Sequence, residues 1–184
     1  MTRYIVLLRG INVGGNNMIP MAGLKAALER QGFENVVTYL ASGNVLLDAD
    51  ITDETALKAA CEQTILDVFG LDIPVCVISA ADLREAMQHA PAWWNKAPDT
   101  RHDAFFVIPP TTTAELFAIV GESKAEYERV DCYGRVIFWS APMATFSRTR
   151  WSKITRTKEA YRAITVRNAN TALKLAELAG GTQP

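Results

Sequence analysis

The chain reads as an α+β protein, a duplicated pair of ferredoxin-like units packed together, each running strand, helix, strand, strand, helix, strand, with an extra helix appended. Three observations lead there. Short β-rich runs alternate with helical patterns. The same order of elements occurs on both sides of a proline-interrupted stretch. The first strand of each half, Tyr4 to Leu8 and Ala104 to Ile108, is continuously apolar, as expected of strands covered on both faces. The expected layout is a first half over residues 1–90, a linker over 91–101 and a second half over 102–184.

In the first half, Arg3 to Arg9 forms a strand followed by a Gly/Asn-rich loop, Gly10 to Asn17. Pro20 can open the next helix and Gly32 can close it. Val36 to Leu40 and Val45 to Leu47 are β-rich runs around Ser42-Gly43-Asn44, a composition suited to a hairpin turn. A helix spans Thr52 to Gly70, a strand spans Ile73 to Ile78, and Ser79 with Asp82 caps a short helix ending before Pro91. In the second half, Thr112 and Glu115 form a capping box for a helix ending at Gly121. Glu126 to Cys132 pairs with Val136 to Trp139 around Tyr133-Gly134-Arg135. A helix across Arg148 to Thr157, a strand at Ala163 to Val166 and a helix from Asn168 to Ala179 complete it.

Of the 184 residues, 49% are hydrophobic and 21% charged, which excludes disordered and fibrous classes. No apolar run approaches the roughly 20 residues of a membrane-spanning helix. Cys61, Cys76 and Cys132 are widely spaced and include no Cys-x-x-Cys pair, so a reducing cytoplasm is the expected home. No cofactor or metal motif is present. Asp48, Asp50 and Asp53 serve as turn and helix-start residues, and neither His89 nor His102 has a Ser, Cys or metal-ligand partner by spacing.

Three motifs, Arg9-Gly10-Ile11-Asn12-Val13-Gly14-Gly15-Asn16, Thr38 to Asn44, and Thr165-Val166-Arg167-Asn168-Ala169-Asn170-Thr171, resemble in order the bacterial family of unknown function DUF1697. The resemblance runs from residue 3 to about 179 and implies a cytoplasmic α+β protein with two ferredoxin-like portions. It implies no activity, cofactor or catalytic residue. The pattern departs at Asn16, where many members carry Lys.

Function is therefore read from the residues. Gly10 to Gly15 lies between a strand and a helix, where glycine-rich loops cradle phosphate with backbone N–H groups. Asn16 and Asn17 replace the Lys and Ser or Thr of a nucleotide P-loop, which argues against ATP hydrolysis by that device. The expectation is a small anionic ligand, a phosphorylated molecule or nucleotide, at Arg9, Asn12, Gly14, Gly15 and Asn16. Arg167, Asn168 and Asn170 at a strand-to-helix junction are further anion candidates. Ser42 and Asn44 form a second surface, expected at the end of the sheet opposite Arg9.

Nucleic acid is the alternative partner. The net charge of −1 conceals a local +6 over Ser147 to Arg167, against −7 elsewhere. Arg148, Arg150, Lys153 and Arg156 would contact phosphates and Trp151 would stack on bases. A non-catalytic interaction module is the third reading.

Overall fold

The computed structural model describes residues 1–181 and divides them into two compact units, one of Met1–Arg84 with residues 175–181, the other of Glu85–Lys174. The first unit carries β1 (Thr2–Leu8), α1 (Met21–Arg30), β2 (Glu34–Tyr39), β3 (Asn44–Ala49), α2 (Glu54–Phe69) and β4 (Val75–Ser79). Its antiparallel sheet has the order β2-β3-β1-β4. α3 (Ala80–Gln88) follows directly. The second unit carries β5 (Thr100–Val107), α4 (Thr113–Val120), β6 (Arg129–Tyr133) and β7 (Val136–Pro142), then two short 3₁₀ helices, α5 (Lys158–Arg162) and β8 (Ile164–Asn168). α6 (Ala169–Gly180) ends the described chain. The second sheet has the order β6-β7-β5-β8, also antiparallel.

Local chemistry explains these elements. Asp53 caps α2 by accepting from the Thr55 N–H at 2.9 Å, and Gly70 closes it in the left-handed conformation at φ 68°. Thr112 and Glu115 form the reciprocal capping box, and the Asn168 side chain accepts from the Thr171 N–H at 2.8 Å. Tyr4, Val6 and Leu8 enter the first unit's core with Leu24, Leu28 and Leu57, while Ile5 and Leu7 on the other face of β1 are equally buried. Burial in that core pushes the Cys61 thiol up to about 12, which leaves it an inert hydrophobe. Trp139, Trp151 and Phe105 anchor the second core.

Four expectations change. β3 runs antiparallel to β1 with Asn44 opposite Leu7, so Arg9 and Asn44 lie at the same end of the sheet, not at opposite ends. The turn before β3 is Leu40 to Gly43, with Leu40 at φ 58°; Asn44 is already a strand residue and fully buried. The helix expected from Arg148 to Thr157 is instead two 3₁₀ segments, Met143–Arg148 and Trp151–Arg156. The buried Glu128 carboxylate accepts from the Arg150 and Trp151 N–H groups at 2.8 and 3.0 Å at the start of the second segment, and the Thr149 hydroxyl donates to the Phe146 carbonyl at the end of the first. The stretch expected as a linker lies within the second unit, where Trp94 is buried edge-on against Phe138 and its indole N–H donates to the Asp103 carbonyl.

Candidate functional site

The loop after β1 is built by its own side chains. Val13-Gly14-Gly15-Asn16 closes a tight turn, both glycines at positive φ, with the Asn16 N–H donating to the Val13 carbonyl at 3.0 Å. The Asn12 amide donates to the Ile19 and Ala41 carbonyls at 3.0 and 2.7 Å and accepts from the Ile19 N–H at 2.8 Å. This side chain, expected to orient a ligand, instead clasps the loop to the β2–β3 turn. Arg9 is half-buried beside it, and Asn44 donates to the Tyr39 carbonyl and the exposed Ser42 hydroxyl.

The second unit gathers its polar groups around open space. A cavity of about 460 Å³ is lined by Trp93, Lys96, His102, Tyr127, Arg129 and Ser140, among others. A shallower depression of about 410 Å³ is lined by Asn95, Arg101, Asp103, Asn168 and Asn170. Thr100 and His102 border both. Asn168 and Asn170 thus reach a site, with Asn170 accepting from the Asn95 amide at 3.3 Å, while the buried Arg167 is engaged by Thr165 and the Val166 carbonyl.

β-sheet register creates the cavity's central pair. His102 on β5 stands directly opposite Ser140 on β7, and their ring Nδ1 and Oγ are 2.5 Å apart. The Asn95 backbone N–H lies 3.1 Å from the same Nδ1, and the Ala97 carbonyl lies 3.2 Å from Nε2. A backbone N–H only donates and a carbonyl only accepts, so the neutral ring carries its hydrogen on Nε2 and accepts at Nδ1. The Ser140 hydroxyl consequently donates to the imidazole. The ring also staples the strap of Asn95 to Ala97 over the cavity edge.

Two carboxylates shape the surroundings. Glu128, 2% exposed, accepts from the Lys124, Arg150 and Trp151 backbone N–H groups and from the Trp139 indole, organising the segment that carries Tyr127 and Arg129. Burial holds the Asp103 carboxyl above the usual range, outweighing the opposing pull of Arg101, whose Nε donates to it at 2.7 Å.

Other expected site residues divide clearly. Trp151 has no exposed surface, packs against Phe117 and donates its indole N–H to the Gly121 carbonyl, so it is core and offers no stacking face. Arg148, Arg150, Lys153 and Arg156 are exposed. Asp48, Asp50 and Asp53 do not converge, and no three His, Cys, Asp or Glu side chains among the described residues could hold a metal ion. No helix among the described residues is long and apolar enough to cross a membrane. Sequence spacing missed the His102–Ser140 pair and Glu128; for the pair, the one available signal was a polar residue set within a strongly apolar strand.

No curated protein matches the chain. The solved structure of a conserved bacterial protein from Streptococcus pneumoniae is similar at 30% sequence identity, with a TM-score of 0.82 over 97% of this chain and 98% of that one. The family model described as "Protein of unknown function (DUF1697)" matches residues 1–138, from β1 into β7. The chain therefore belongs to the DUF1697 family.

Proposed function

We propose that the protein binds a small phosphorylated molecule or nucleotide in the cavity of the second unit, not at the Arg9 to Asn16 loop. The observation that carries this reading is the lining: the flat side chains of Trp93 and Tyr127 and the cations Lys96 and Arg129, with the carboxylates Glu126 and Glu128 also present, share one cavity with a buried His–Ser pair. Aromatic faces favour a planar ring, and cations favour a phosphate or carboxylate. Arg9, Gly14, Gly15 and Asn16 border a loop whose central amide, Asn12, is committed to holding it closed. Calorimetric titration with inorganic phosphate and nucleoside monophosphates tests the assignment. Binding that weakens at least about tenfold in Lys96→Ala plus Arg129→Ala, and is unchanged in Arg9→Ala, supports it. The reverse pattern moves the site to the loop, and no binding by any of these anions removes the proposal.

The exposure of Arg148, Arg150, Lys153 and Arg156 favours a second reading, nucleic-acid binding by charge without Trp151. Its mark is affinity falling steeply with salt. We also infer that each sheet with its helices is a ferredoxin-like layer and that the pair is a duplication, a reading supported by the matching strand orders. The wide spacing of Cys61, Cys76 and Cys132, with no Cys-x-x-Cys pair, supports residence in a reducing cytoplasm.

A further inference from the structure

We propose that Ser140 is a nucleophile activated by His102, and that the second unit's cavity hydrolyses a carboxylic ester of a small anionic molecule; this rests on reading the cavity as the binding site. The direction of the hydrogen bond is the first support. With Nε2–H fixed on the Ala97 carbonyl, Nδ1 is the ring's acceptor and the Ser140 proton points at it over 2.5 Å. The Ser140 oxygen has no other side-chain hydrogen bond among the described residues, so its lone pairs are open to an incoming carbonyl carbon. The second support is rigidity. Nucleophile and base sit on paired strands, and the backbone carbonyl orients the imidazole as the third member of a catalytic triad does. Lys96 and Arg129 at the same cavity, which Glu126 and Glu128 also line, offer cationic partners to the anionic group of the acyl donor.

In the step, the Ser140 oxygen bonds to the acyl carbon as its proton passes to Nδ1. The ester C–O bond then breaks, and the departing alcohol takes that proton. Water adds to the acyl-serine, gives a proton to Nδ1 and releases the acid, after which the serine oxygen regains the proton. The net change is ester plus water to acid plus alcohol.

The test treats the full chain with a small alkyl fluorophosphonate and locates the adduct by peptide mass spectrometry. The expected result is a single adduct on Ser140, absent in Ser140→Ala, with a labelling rate at least about 100-fold lower in His102→Gln. Circular dichroism establishes that both variants fold; Ser140→Ala removes one oxygen, and Gln retains a polar side chain where the imidazole stood. No adduct at Ser140 in the folded wild type overturns the proposal, as does a rate unchanged in folded His102→Gln. Nucleotide titration of Ser140→Ala separates the two readings: retained binding without labelling in the wild type leaves the binding site standing and removes only the nucleophile.

Discussion

The two units share a strand order but invest their polar side chains differently. In the first, Asn12, Asn17 and Asn44 all donate to backbone carbonyls of the loop after β1 or of the β2–β3 connection and its flanking strand, so polarity there closes the end of the sheet. In the second, the same kind of sheet places His102, Ser140 and Asp103 beside open space, with a strap of Asn95 to Ala97 held by the His102 ring and by the bond from the Asn95 amide to Asn170. An asparagine-rich motif is conspicuous in sequence because a closed loop needs several left-handed residues close together, such as Asn12 at φ 54° and Asn17 at φ 48°. A cavity needs no such local signature. Conspicuous composition and a reactive site therefore lie in different units.

The largest expected effect falls on the second unit's organiser. Glu128→Ala leaves four N–H donors without their carboxylate, three from the backbone and one from Trp139, and should cost roughly 3–5 kcal/mol. Urea unfolding measures it. A loss under 1 kcal/mol would mean that the 3₁₀ segments hold without Glu128, and the contrast between a self-closed and a carboxylate-held unit would fail.

Gly43 supplies the counterpart in the first unit. It sits at φ 81°, and a Cβ there would lie 2.7 Å from the Leu8 Cβ and 2.9 Å from the Ile11 Cδ1. Gly43→Ala therefore combines backbone strain with overlap against two buried side chains, for about 2–3 kcal/mol. Asn12→Ala should follow at about 2 kcal/mol, because the Ile19 N–H and the Ile19 and Ala41 carbonyls lose their partner. Neither variant should change titration of the second unit's cavity by phosphate or nucleotides. A lost binding signal in folded Asn12→Ala would return the site to the loop.

Much of the architecture was legible because it is locally encoded. The capping box at Thr112 and Glu115, the cap at Asn168 and the left-handed stop at Gly70 each need only a few adjacent residues. The 3₁₀ segments were illegible because the acceptor that fixes the Arg150 and Trp151 amides is Glu128, more than twenty residues earlier in the chain. The His102–Ser140 pair was illegible for the same reason. It arises from one register choice between strands separated in sequence, and neither residue has a distinctive neighbour. Asn168 and Asn170 were found because a helix start is recognisable; that they border a depression with Arg101 and Asp103 follows only from the pairing of β5 with β8.

The smallest effect concerns the electrostatic side of the contrast, and its sign follows from Asp103. Burial holds this carboxyl above its ordinary range despite Arg101, so the folded chain keeps the proton to higher pH than the unfolded chain does. The associated stability is fully present below the unfolded carboxylate range and is lost as pH rises through the raised folded value. Asp103→Asn removes this dependence while keeping the size of the side chain. Near neutral pH the variant should gain on the wild type relative to the difference between them in acid, a shift readable as diverging urea midpoints. A constant difference across that range would mean that the second unit carries its buried carboxylate without electrostatic cost. Its polar groups would then be as well satisfied as the asparagines of the first unit, and the difference between the units would reduce to the cavity alone.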